Sequence, residues 1–236
     1  MAVLEVDDLV SFYGKVEVVS HVSLAAEAGE TVALVGRNGA GKTALMRTIM
    51  GHAPPVRRQG LVRLEGQDIT GLPPYEIARR GVGMAPDNHQ IFPHLTVEEN
   101  LVLAQKLTGR RRPRSLEEIY ALFPPLADLS QRSGAVLSGG ERKLLAVARA
   151  IVQRPAILLL DETSEGLSPV LVQQLIEVLK RLQGERITML IADQNLRFCG
   201  KIAARAYVLE RGRIQFSGAF EEMWTQVDAN RMNFIH

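Results

Sequence analysis

Residues 31–43, TVALVGRNGAGKT, place the tightest constraint on what this chain can fold into. TVALVG is an unbroken apolar run, the composition of a strand buried on both faces of a parallel sheet. It feeds directly into glycines at 36, 39 and 41, and then into ALMRTIMG (44–51), which has helical spacing and is stopped by Gly51. A buried strand, a glycine-rich turn and a helix in that order form the context of a phosphate-binding loop. Gly36, Gly39 and Gly41 let the backbone through Arg37, Asn38 and Ala40 curl, so that successive N–H groups converge on an anion. Lys42 would reach the β- and γ-phosphates of a nucleotide, the Thr43 hydroxyl would ligate Mg²⁺, and Ala44 continues the helix that faces them.

The rest of the chain is consistent with an α/β domain built around that strand. Period-two stretches at the N-terminus, LEVDDLVSFYG and VEVVSHVSLAAEAGE, predict an antiparallel, half-buried sheet, and GLVRLEGQDIT (60–70) predicts a further hairpin. A short helix over 75–80 and a strand over 82–86 follow. Between 87 and 141 the pattern is helical only, in LTVEENLVLAQKL, SLEEIYALF and the stretch near 126–132, which predicts a helical lobe inserted into a sheet domain. From there helices over 141–153, 168–183 and 195–204 alternate with strands AILLLD, ITMLIA, AYVLERG and RIQFSG, the order of a largely parallel sheet. The expected organisation is a single domain over 1–236, with 1–86 and 142–236 as nucleotide-binding core and 87–141 as helical subdomain.

Composition narrows the partners. The net charge of +2 is too small a bias to suggest nucleic acid, and the single cysteine, Cys199, excludes a disulfide framework. The start, MAVLEVDDLV, lacks a basic stretch, so no signal peptide is expected. The densest apolar run, AILLL, falls far short of the roughly 18 residues of a membrane span. GRRRPRS (109–115), with four arginines, is expected to be a solvated loop between helices, with contact to lipid headgroups or an acidic partner as the alternative.

Two further segments carry chemistry. ILLLDE (157–162) delivers adjacent carboxylates to the C-terminal end of a buried strand, the ligand edge of a parallel sheet. Asp161 suits Mg²⁺, and Glu162 suits polarising an attacking water. LSGGE (137–141) leads a helix with bare backbone N–H groups and is a second phosphate-facing loop. One loop already takes the β- and γ-phosphates, so the second makes sense if Ser138, Gly139 and Gly140 face a nucleotide held by another copy.

With these three segments in place, the chain resembles the ATP-binding cassette (ABC) ATPases over nearly its whole length. GRNGAGKT matches that family's Walker A loop, LSGGE its signature motif, ILLLDE its Walker B strand with the catalytic glutamate, and SEGLSP (164–169) its D-loop. The resemblance implies a P-loop fold with an antiparallel β edge and a helical lobe. ATP and Mg²⁺ would be its cofactors, and two nucleotides would be sandwiched in a head-to-tail dimer. It places Tyr13 against adenine. Asp87 stands where the family usually has a glutamine that meets nucleotide and Mg²⁺, and Gln194 where it usually has a switch histidine; none of the five histidines lies near. Thr163 replaces the usual proline after the Walker B glutamate. These departures resemble the second ATPase subunit of branched-chain (hydrophobic) amino acid importers, a subfamily that also covers urea and amide importers. The implied partners are transmembrane permease subunits, a second ATPase subunit (identical or not) and, indirectly, an extracytoplasmic solute-binding protein. The implied location is the cytoplasmic face of the membrane. A soluble ABC protein of translation or DNA repair is the remaining alternative, although such proteins usually have two cassettes or a long coiled-coil insertion.

Overall fold

The computed structural model describes residues 2–88, 90–106 and 112–228. Strands β1 (Ala2–Tyr13) and β2 (Val16–Glu27) form a hairpin, and β3 (Thr31–Val35) runs into α1 (Lys42–Ile49). Next come β4 (Val56–Leu64), β5 (Gln67–Asp68), α2 (Pro74–Arg80) and β6 (Val82–Ala85). Helices α3 (Val97–Lys106), α4 (Leu116–Leu122) and α5 (Pro124–Asp128) precede the long α6 (Gly139–Val152). The chain then alternates through β7 (Ile157–Asp161), α7 (Pro169–Gly184), β8 (Thr188–Asp193), α8 (Leu196–Cys199), β9 (Arg205–Glu210), β10 (Arg213–Ala219) and α9 (Phe220–Asp228).

Two sheets result. The larger has the order β10-β9-β3-β8-β7-β6, parallel throughout except for β10, which is its antiparallel edge. The N-terminal strands do not join it. They form a separate four-stranded antiparallel sheet, β2-β1-β4-β5.

The continuous apolar runs are explained by burial on both faces. Ala33 and Val35 of β3, Leu158 and Leu160 of β7, and Met189 and Ile191 of β8 face one core, shared with α3, α6 and α7. Val32, Leu34, Ile157, Leu159 and Leu190 face the other, closed by α1 and by Leu4, Val6, Leu24 and Val62 of the antiparallel sheet. Alternate residues of one strand thus serve two cores, so no position in these strands can be polar without cost.

Local chemistry accounts for the helix ends. Ser115 caps α4 and Ser138 caps α6, each in a reciprocal capping box with a glutamate three residues on, Glu118 and Glu141. The cap at Ser138 starts α6 at Gly139, earlier than the expected 141. The helix expected over 195–204 is shortened to α8, because Gly200, packed against the Phe220 ring, ends it and the chain turns through Lys201 and Ile202. The stretch near 126–132 is helical only to Asp128; beyond it the carbonyls of Ser130 and Arg132 accept from the Glu98 and Val97 amides and so satisfy the first turn of α3.

The arginine-rich segment divides. Arg112 is exposed, as expected of a solvated loop, whereas Arg114 is only 3% exposed and pairs with Glu185 at the end of α7. Arg110 and Arg111 lie outside the described residues.

Leu159 sits at zero exposure in the second core. Leu159→Ala should destabilise the fold by about 2–5 kcal/mol, read as a lower urea midpoint with an unchanged slope.

Candidate functional site

β3, β8 and β7 are neighbours in that order and run parallel, so the loops that follow them meet at one edge of the sheet. The loop after β3 is held by backbone contacts that allow no side chain. A Cβ at Gly36 would lie 2.3 Å from the Leu209 carbonyl oxygen, and one at Gly41, whose φ is +109°, 2.5 Å from that of Val18. The β9–β10 turn braces the loop further, with the Gly212 amide donating to Ala40 O at 2.8 Å. Curled in this way, the loop returns Lys42 over itself. The Lys42 ammonium, in a residue 3% exposed, donates to Gly36 O at 2.9 Å and Arg37 O at 3.2 Å and lies 3.2 Å from Glu162 Oε1.

Opposite it stand the acids that end β7. Thr43 Oγ1 donates to Asp161 Oδ1 at 3.1 Å. Asp161 is fully buried, and its second oxygen, Oδ2, has no hydrogen-bond partner among the described residues. Burial, reinforced by the charges of Asp87 and Glu162, pushes its pKa up to about 7 against the pull of the Thr43 hydrogen bond and of Lys42. An orphaned carboxylate oxygen beside a threonine hydroxyl fits Mg²⁺, which would be held by Thr43 and Asp161 and would neutralise charge on bound phosphates. Among the described residues there is no cluster of three His, Cys, Asp or Glu side chains that could cage a metal.

A cleft of about 420 Å³ runs from Tyr13 across Gly39, Gly41, Lys42 and Thr43 to Glu162. Tyr13 therefore shares a wall with the phosphate loop. Arg211 and Gly212 of the β9–β10 turn also line it, although no sequence signal pointed to them. Gln194 follows β8 between the two site strands; it is exposed and makes no hydrogen bond within the described residues. Asp87 is exposed after β6 and lies in a second cleft, of about 200 Å³, that Asp161 also lines. Ser138, Gly139 and Gly140 line neither cleft. Ser138 Oγ accepts from the Glu141 amide at 3.3 Å, which leaves its O–H free to donate outward, and a Cβ at Gly139 would meet only open space.

Sequence comparison decides the family. A profile described as "ABC transporter" matches residues 19–165. The chain belongs to the ABC transporter family. Among its relatives is the high-affinity branched-chain amino acid transport ATP-binding protein BraG of Pseudomonas aeruginosa, 38% identical over 89% of this chain and 90% of that protein. Another is the lipopolysaccharide export system ATP-binding protein LptB of Haemophilus influenzae, 34% identical over 98% of this chain and 97% of that one. A nucleotide-free ATP-binding cassette superposes with a TM-score of 0.82 at 26% identity, covering 97% of this chain and 96% of that one. The protein is thus an ATP-binding, ATP-hydrolysing ABC subunit of a transporter. No helix among the described residues is long and apolar enough to cross a membrane.

The ABC chain also contains site residues that the sequence did not reveal. Lys143, 5% exposed, occupies the apolar stripe of α6 with Val147 and Ala150, and donates to the carbonyls of Glu162 and Glu165. A lysine in that stripe was the available signal. Asp193, fully buried at the end of β8, accepts from the amides of Ser164 at 3.0 Å and Asn195 at 2.9 Å. Burial raises its pKa against those two hydrogen bonds. Glu165 shares a hydrogen bond with Glu162, which raises the Glu165 pKa. Burial pushes Glu162 upward, but the Glu165 hydrogen bond and the Lys42 charge outweigh it, so its pKa lies below the usual glutamate value.

Glu162→Gln should retain ATP binding, since Lys42, Thr43 and Asp161 are untouched, and should slow hydrolysis by orders of magnitude. Nucleotide affinity and single-turnover rates measured on the same protein check this.

Proposed function

We propose that this chain powers an importer of branched-chain or other hydrophobic amino acids. What supports this most is the 38% identity to BraG over about nine-tenths of both chains, in a sequence carrying Asp87 and Gln194 at the two switch positions. Urea and amide importers are the neighbouring alternative. A second reading, lipopolysaccharide export, is favoured by the more complete coverage of LptB. The whole chain is read as one cassette, with the helices of 87–141 as the lobe that faces a transmembrane permease. The working position is the cytoplasmic face of the membrane, with an extracytoplasmic solute-binding protein acting through the permease.

At the site, the loop Gly36–Ala44 holds the β- and γ-phosphates, with Lys42 as their cationic clamp. Thr43 and Asp161 hold Mg²⁺, and Asp87 meets it through water. Tyr13 stacks on adenine. Glu162, kept ionised near Lys42, lines up the attacking water, and Gln194 hydrogen-bonds the γ-phosphate from between the two site strands. Ser138, Gly139 and Gly140 act on the nucleotide of a second ATPase subunit, where the α6 N-terminus and the free Ser138 O–H face an anion.

Proteins co-purifying from gently solubilised membranes test the transport reading. Permease chains, together with leucine uptake lost in a Glu162→Gln strain, are expected; envelope glycolipid export components in their place would select the second reading.

The shared site is tested by mixing two inactive variants. A mixed dimer of Lys42→Ala and Ser138→Arg contains one composite site with both groups intact, so ATPase activity should partly return. No recovery at any ratio, with both proteins folded, counts against a shared site. Gln194→Ala should reduce the ATPase rate at least about tenfold, or about 1.4 kcal/mol of transition-state stabilisation. Gln194→His should stay active and gain an acid-side change near pH ~6.5, seen in steady-state rates across the pH range.

A further inference from the structure

Lys143 is a buried cation that meets no carboxylate directly among the described residues. Its ammonium donates at 2.6 Å to the backbone oxygen of Glu162 and at 2.6 Å to that of Glu165. Burial lowers its pKa from the ordinary lysine value, while the charges of Asp193, Glu165 and Glu162 pull the other way. A buried ammonium is costly, and an apolar side chain of similar volume would serve packing alone at least as well. The difference lies in what the ammonium grips. Glu162 has a left-handed backbone, φ +48°, uncommon for a residue with a Cβ. Its amide donates to Ala192 O at 2.7 Å and its carbonyl accepts from Lys143. Those two bonds clamp both sides of the residue and leave its carboxylate 3.2 Å from Lys42. Two residues on, Asp193 Oδ2 holds the Ser164 amide, so the segment 162–165 is pinned from α6 on one side and from β8 on the other.

We propose that Lys143 is a positioning residue for ATP hydrolysis: it holds the Glu162 backbone in the geometry that aims the carboxylate, and ties that aim to the helix carrying Ser138–Gly140. This rests on the reading of Glu162 as the group that orients the attacking water. Because α6 begins at the glycines proposed to meet the partner's nucleotide, a shift of α6 on the partner's γ-phosphate reaches this chain's own Glu162 through one rigid contact. Each nucleotide then reports on the other without any contact between them.

The variants Lys143→Met, Lys143→Gln and Glu162→Gln are compared with the wild-type protein in kcat, KM for ATP, affinity for a fluorescent ATP analogue and melting temperature. Methionine fills the same space without a donor, whereas the glutamine amide has two N–H donors and no charge. Lys143→Met is expected to lose on the order of tenfold or more in kcat at nearly wild-type nucleotide affinity, with Lys143→Gln recovering most of that loss. If Lys143→Met does not fold, Lys143→Ser, which admits water to the two carbonyls, takes its place with the same expectation. A wild-type kcat in the donor-free variant overturns the proposal, as does an equal loss of rate and affinity that glutamine fails to rescue. Glu162→Gln separates the two levels. If it is inactive while Lys143→Met is normal, only the positioning role fails; if it turns over normally, the reading of Glu162 fails and the proposal with it.

Discussion

The Lys42 ammonium, buried between the carbonyls of its own loop and the Glu162 carboxylate, is the contact on which the rest of the site depends. A lysine at 3% exposure is tolerable only if each donor is met, and the partners come from two segments more than a hundred residues apart in sequence. They meet because β3 and β7 flank β8 in one parallel sheet, so that the ends of both strands fall on the same edge. The glycines at 36 and 41 are the other half of the requirement. With any side chain there, the loop would be forced off the carbonyls of Leu209 and Val18, and Lys42 would no longer turn back over it.

Much of this was legible because physics leaves few options. VALVG, AILLL and MLIA are apolar without interruption since each serves two cores, and the acids or glycines that break them must lie at strand ends. The phosphate loop, Asp161 and Glu162 could therefore be placed before any coordinates. What could not be read were contacts whose second partner is backbone. Lys143 meets the carbonyls of Glu162 and Glu165, and Asp193 meets the amides of Ser164 and Asn195. A peptide group has the same donor and acceptor whatever the residue, so it leaves no trace in composition or spacing. Arg114 was hidden for a related reason: its partner Glu185 lies in a distant turn, and a run of arginines looks solvated until the fold brings that turn to it. Separating the antiparallel strands into a second sheet depended on the packing of α1 against both sheets, which period-two alternation does not encode.

The charges at the sheet edge are separated by environment into distinct states. Asp161, Asp193, Glu162 and Glu165 crowd together, yet burial raises the two aspartates, whereas the lysine contact and a shared hydrogen bond leave Glu162 low and Glu165 high. A neighbouring cation and a donated hydrogen bond favour the ionised form of one carboxyl, and the same hydrogen bond favours the proton on its neighbour. Glu162 is therefore held as the carboxylate that faces Lys42, with Glu165 as its hydrogen-bond partner. Asp161, pushed up to about 7 by burial, stands between the two. A cation meeting the unpartnered oxygen would favour the ionised form, so the charge on this acid would be coupled to the arrival of Mg²⁺.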